Sequence, residues 1–198
     1  DLFLGYPDTG MPYEESFLRR LYDGCRVSAS RWGRTETWRP DGQDFHFMRS
    51  GCHSTYTAAS VLRDLSDVLA LVNPDTVYVT APGDCHGDHD ALGRFTTQAV
   101  AAMENPPALY YYLIHADRTD IWPERDAERF RLPPMAADHP LLRCAAERRP
   151  LPDGFPPAEK YSLIQSYTSQ DPAAYNGYLL AFAKNDELVF RVERLPSR

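Results

Sequence analysis

The chain has 198 residues, 43% of them hydrophobic, and a formal net charge of −7. That length and apolar content suit one domain, 1–198, with a core of its own. The acidic balance argues against non-specific binding to nucleic acid or to anionic membranes, and no apolar run is long enough to span a bilayer. Four cysteines, Cys25, Cys52, Cys85 and Cys144, contain no C-x-x-C pair, which argues against a structural zinc site.

In chain order, residues 2–6 read as a short apolar strand closed by Pro7-Asp8-Thr9-Gly10. Asp8 reads first as a turn former, with acceptance of a sugar hydroxyl as the alternative. Residues 14–23 are helical by the spacing of Phe17, Leu18, Leu21 and Tyr22. Residues 26–50 scatter Trp32, Trp38, Phe45 and Phe47 among polar residues, as a loop packed on its own aromatics or part of a sugar-binding rim. His46 and His53 have no partner at ligand spacing. The clearest helix is 57–72, with Val61, Leu62, Leu65, Val68, Leu69 and Val72 in one stripe and Asn73-Pro74 as its stop.

The stretch that organises the chain is 75–93. Residues 76–81 alternate β-branched and aromatic side chains with smaller ones, as a buried strand does. Pro82-Gly83-Asp84 breaks that strand, and a helical pattern begins at Asp90. Between them lie two histidines and three aspartates within seven residues, 84–90. A helix cap needs far fewer polar groups. Imidazoles are common zinc ligands, and a neighbouring carboxylate can orient one. Gly87 would let His86 and His89 turn toward one pocket. Strand-end crevices of open α/β sheets are where ligands bind. Strand 108–115 follows; His115 either faces the cleft or simply closes the strand, and the second reading is favoured. Residues 116–157 hold eight of the seventeen prolines and read as a wall over the site. A helix at 159–170, with Leu163, Ile164 and Tyr167 inward, and strands at 179–182 and 187–193 complete the chain.

Asp84, His86, Asp88, His89 and Gly93, set between a buried strand and a helix, resemble the second conserved block of the PIG-L/LmbE family of metal-dependent N-acetylglucosamine deacetylases. Leu4 to Met11, Asn73-Pro74-Asp75 and the Lys160 to Gln170 stretch resemble three further segments of that family, in the same order. The resemblance implies a three-layer, Rossmann-like parallel sheet with helices on both faces. It also implies a hydrolase that removes the N-acetyl group from a small amino-sugar conjugate with a water activated by Zn2+. On this basis His89 is the metal ligand, His86 the acid partner in catalysis with Asp88 orienting it, and Asp8 the residue facing the glucosamine. The chain lacks the family's His-Pro-Asp-Asp motif, so the resemblance implies that its N-terminal strands are missing. Two alternatives stand beside this reading. A metallo-β-lactamase-like hydrolase would explain the spacing from Asp84 to His89 but neither the Gly-Tyr-Pro-Asp segment nor the Ser-Gln helix. A non-catalytic sugar-binding remnant would explain the missing motif.

Overall fold

The structure is a computed structural model that describes residues 1–9, 13–24, 29–40, 42–119, 121–168 and 177–196. Gly10, Met11, Cys25, Ser169 and Gln170, which figure in the sequence reading, lie outside the described residues. The elements, in order, are α1 (Phe17–Tyr22), α2 (Phe45–Ser50), α3 (Ala58–Val72), β1 (Thr76–Thr80), α4 (Gly87–Ala101), β2 (Ala108–Tyr112), β3 (Ala145–Pro150), α5 (Pro157–Gln165) and β4 (Asp186–Arg191). Single 3-10 turns occur at Tyr13–Glu15, Pro140–Arg143 and Leu179–Phe182.

The fold is mixed α/β, with a four-stranded sheet in the order β1-β2-β4-β3. β1 and β2 are parallel and in register from Thr76 opposite Ala108 to Thr80 opposite Tyr112. β4 runs antiparallel to both β2 and β3. One parallel pair therefore stands where a wholly parallel sheet is expected. The α4 crossover produces that pair, because parallel neighbours need a long connection. β4 instead enters between β2 and β3, where Leu188, Val189 and Phe190 bury both of its faces.

Local chemistry accounts for the helices. The Thr57 hydroxyl caps α3 by accepting the Ser60 N–H at 3.0 Å, and Asn73 ends it in the left-handed region with φ 46°. Asp44 caps α2 in the same way through the Phe47 N–H, and Gly51 closes it at φ 74°. α2 is absent from the sequence reading because six residues give too little periodicity to register. α4 packs on β1, and both α1 and α3 pack on α4. This contact tolerates no side chain at Gly93, where a Cβ would lie 2.4 Å from the Thr80 carbonyl oxygen. One apolar cluster lies on the sheet around Val79, Tyr111 and Phe190; a second joins Phe17, Leu21, Val61 and Phe95 from α1, α3 and α4.

Several expected elements are corrected. Residues 2–6 form no strand; Leu2 and Phe3 are exposed, and the backbone bonds to the neighbouring loop instead. The Phe3 carbonyl accepts from Phe45 N and the Gly5 carbonyl from Trp38 N. Residues 179–182 form a 3-10 turn rather than a strand, and 145–150 form a strand inside the proline-rich stretch. On α5, Leu163 is exposed, and so is Tyr167 just beyond the helix end, while Ile164 is half-buried.

Candidate active site

β1 and β2 remain tied beyond their last ladder residues. Ala81 N donates to the Tyr112 carbonyl at 2.9 Å and Cys85 N to the His115 carbonyl at 2.9 Å. These bonds bring the loop before α4 alongside the loop after β2. The buried Asp84 clamps the junction. Its Oδ1 accepts from His86 N at 2.8 Å, and its Oδ2 accepts from Ile114 N at 3.0 Å and His115 N at 3.1 Å. Burial works to raise the Asp84 pKa. The His89 imidazole and the backbone N–H groups of His86 and His115 outweigh it and hold the carboxyl below its ordinary value.

Three imidazoles gather over this clamp. The His86 and His89 rings stack with centroids 4.3 Å apart, and His115 lies 5.7 Å from His86 and 5.4 Å from His89. His115 therefore lines the cleft, against the favoured sequence reading. The Cys85 N–H bond to its own carbonyl fixes it there. His89 Nδ1 is buried, makes no hydrogen bond, and lies 3.4 Å from Asp84 Oδ1. With Nδ1 toward that carboxylate, Nε2 is the nitrogen left for a ligand.

His86 sits at the N-cap position of α4, yet its side chain caps nothing. Its Nδ1 is buried without a partner, and its Nε2 lies 3.6 Å from Asp8 Oδ1. Burial first, and then the charge of His89, lower the His86 pKa; Asp8 and Asp88 pull the other way without prevailing. Burial thus outweighs the two carboxylates beside the ring.

Asp88 is braced elsewhere. Its Oδ2 accepts from Thr9 N at 2.9 Å and Thr9 Oγ1 at 3.1 Å, and its Oδ1 from Leu18 N at 2.6 Å. Its carboxylate thus holds the 7–9 turn and the start of α1 against α4, and burial raises its pKa despite those bonds. The carboxylate nearest the His86 ring nitrogen is Asp8, not the expected Asp88. Asp90 is the structural hub of the helix start, accepting from Gly83 N at 2.7 Å, Tyr13 Oη at 2.8 Å and Arg94 Nε at 2.9 Å. Gly87 is needed for space rather than for an unusual backbone angle. A Cβ there would lie 2.3 Å from the Tyr13 carbonyl oxygen.

Asp8, His86, His89 and His115 open onto a cavity of about 560 Å³. Its far wall is apolar, with Trp122, Phe130, Ile164 and Phe182. The proline-rich stretch supplies Trp122 and Phe130, so its expected place as a wall holds. Asp8 is exposed at the rim, and one oxygen of Asp8, one nitrogen of His86 and one oxygen of Asp88 lie within 4.8 Å of one another.

Comparison of the chain with family models, curated proteins and solved structures finds no match. The site is described by its own geometry. That geometry brings Asp8, His86, Asp88 and His89 together and adds two features. One is His115, which the sequence reading favours as a strand end. The other, which it passes over, is the Lys160–Glu187 ion pair at 2.5 Å, which lines the same cavity. In 187–193 the apolar residues Leu188, Phe190 and Val192 alternate, and that pattern carries no signal for Glu187.

Proposed function

We propose that this chain carries the site of a zinc-dependent N-deacetylase of the PIG-L/LmbE kind, a hydrolase acting on the N-acetyl group of a small amino-sugar conjugate. The observation that supports it most is the meeting of Asp8, His86 and His89 at the mouth of one cavity, with His89 Nδ1 turned to the Asp84 carboxylate and the buried His86 Nδ1 making no hydrogen bond. Buried polar groups are nearly always satisfied, so the His86 atom asks for a ligand or a reacting group. In the same reading, the parallel β1–α4–β2 unit is part of a three-layer, Rossmann-like arrangement.

The donor set suits zinc, which takes imidazole nitrogen and carboxylate oxygen. His89 would hold the ion through Nε2, backed by Asp84. Asp8, His86 and Asp88 place two oxygens and a nitrogen within 4.8 Å of one another; His89 is outside that group, with its ring stacked on His86 at 4.3 Å, and in this reading His86 serves proton transfer rather than the ion. When bound, zinc polarises the amide carbonyl and supplies a nucleophile at neutral pH.

The chain's own residues do the rest. Asp8 accepts hydroxyl protons of the sugar and holds the acetamido group against the histidines. His86, beside His89 and facing Asp8, would take the proton given up by the attacking water and pass it to the leaving amine, which departs poorly as an anion. Asp88 keeps the Asp8 turn in place through Thr9. Trp122 and Phe130 give the cavity an apolar wall opposite the histidines, against which the substrate's apolar parts would pack. The test is acetate release from N-acetylglucosaminyl conjugates by the zinc-loaded protein, with metal content measured in parallel. Stoichiometric zinc with acetate release is the expected result. A protein that takes up no zinc and releases no acetate overturns the proposal.

A further inference from the structure

Asp8 lines a second cavity as well as the first. This one, about 540 Å³, is bounded by Gly5 to Asp8 on one side and by Ser30, Trp32, Arg34, Trp38 and Tyr56 on the other. Trp32 is 64% exposed and Trp38 41% exposed, unusually open for the largest apolar side chains in the chain. Each indole carries an arginine on one face: Arg31 lies 4.7 Å from the Trp32 ring centroid and Arg34 4.0 Å from that of Trp38. Such stacking restrains each ring, and Arg34 lines the cavity together with Trp38.

The two cavities are held at a set spacing. Trp38 N donates to the Gly5 carbonyl at 3.1 Å. Gly5 has φ 77°, and a Cβ there would come within 2.8 Å of Trp38 N. Trp38 and the segment leading to Asp8 are therefore joined backbone to backbone in close contact. Aromatic walls with a few placed polar groups are the usual make-up of a small-molecule site. An exposed indole beside a carboxylate suits a sugar ring in particular, whose C–H face is apolar and whose edge carries hydroxyl donors.

We propose that this second cavity is a subsite for a second sugar ring, stacked on the Trp32 and Trp38 wall, with Asp8 reading hydroxyls at the junction of the two units. The substrate is then at least a disaccharide, with its acetamido end in the histidine cavity. This rests on the deacetylase reading of the first cavity.

The experiment compares N,N′-diacetylchitobiose with N-acetylglucosamine, by tryptophan fluorescence titration and by acetate release, for the wild type, Trp38→Ala and Trp32→Ala. The expected result is tighter binding of the disaccharide with a change in tryptophan emission. Each substitution should narrow the disaccharide-to-monosaccharide affinity ratio by roughly three- to tenfold, the size of a stacking contact. Thermal unfolding of each variant confirms that it folds, and the high exposure of Trp32 makes Trp32→Ala the safer of the two. Equal affinity for the two sugars, or a ratio unmoved in both folded variants, overturns the subsite. Indole-dependent disaccharide binding without acetate release upholds the subsite and overturns the deacetylase reading instead.

Discussion

His46 and His53 lie against Asp64 and Asp44, beneath the N-terminal segment; His86 and His89 lie against Asp8 and Asp84, at the end of β1. By residue type the two groups are alike, each with two histidines and two aspartates. In the first, the carboxylates are saturated by structural donors. Asp64 Oδ2 accepts from Tyr6 Oη at 2.8 Å and Ser54 Oγ at 2.6 Å. Asp64 Oδ1 takes Arg63 Nε at 3.2 Å and lies 3.2 Å from His46 Nδ1. Asp44 caps α2 and bonds His53, whose ring stacks on Phe47 at 4.7 Å. This cluster is a closed network that ties α2, α3 and the 2–6 segment together. In the second, Asp84 is also saturated, but by backbone N–H groups with the His89 ring beside it, and the buried His86 Nδ1 is left without a hydrogen bond beside a cavity. The difference teaches that a histidine beside an aspartate is informative only once every donor and acceptor has been accounted for.

The largest effect should come from His89→Ala, which removes the proposed zinc ligand, the imidazole set against Asp84. The full-length protein is expected to lose stoichiometric zinc and with it all measurable deacetylation, whereas His53→Ala keeps both. Full zinc content in the His89 variant, measured by metal analysis, would reverse the assignment of the two clusters.

His86→Ala should keep its zinc and lose roughly two to four powers of ten in kcat, the scale of a general acid or base. The matched substitution His46→Ala should leave kcat within about twofold, as expected of a residue with no part in the chemistry. Steady-state kinetics on both variants checks this, and near-normal kcat in the His86 variant would remove its catalytic role.

Asp64→Ala strikes the closed network. It leaves Arg63, His46, Tyr6 and Ser54 without their shared acceptor, and should cost about 3–5 kcal/mol of stability, as breaking a buried ionic cluster does. Urea unfolding would measure it. A loss under about 1 kcal/mol would mean that the network is not what holds this region together.

The smallest effect is alkaline. Burial and then the hydrogen bond to Asp64 raise the Tyr6 pKa; burial and then Asp90 push Tyr13 up to about 12. Both phenols titrate later in the folded state than in the unfolded one, whose value is near 10. Their contribution to stability is thus fully present below about pH 10 and is lost as pH rises through the folded values. For Tyr13 the window runs from about pH 10 to about pH 12. Tyr13→Phe should flatten the melting-temperature profile across that window, and Tyr6→Phe should flatten it further upward. An unchanged alkaline profile in both variants would refute the two buried tyrosine–aspartate contacts.

Periodicity and punctuation made much of the fold legible. The stripe from Val61 to Val72 and the Asn73-Pro74 stop place α3 within a residue of its observed bounds. The alternation after Asp75 places β1, and the apolar run after Pro107 places β2. The 2–6 run misled because a short apolar stretch is equally at home as an extended segment bonded to a loop. β3 was hidden because AAERRP carries no apolar alternation; its pairing with β4 decides it.

The sequence by itself determined the junction of strand, loop and helix at 76–101, and with it the placing of Asp84, His86, Asp88 and His89 in one turn of chain. Those are local matters, settled by backbone preference and the short range of a few residues. Only the tertiary structure decided which histidines keep unpaired nitrogens, that His115 joins them, that Asp88 braces Thr9 and Leu18 rather than His86, and that two cavities meet at Asp8. Each of these depends on burial and on partners distant in the chain, such as the 79 residues between Thr9 and Asp88. Hydrogen-bond satisfaction and desolvation are properties of the packed molecule, and no spacing along the sequence encodes them directly.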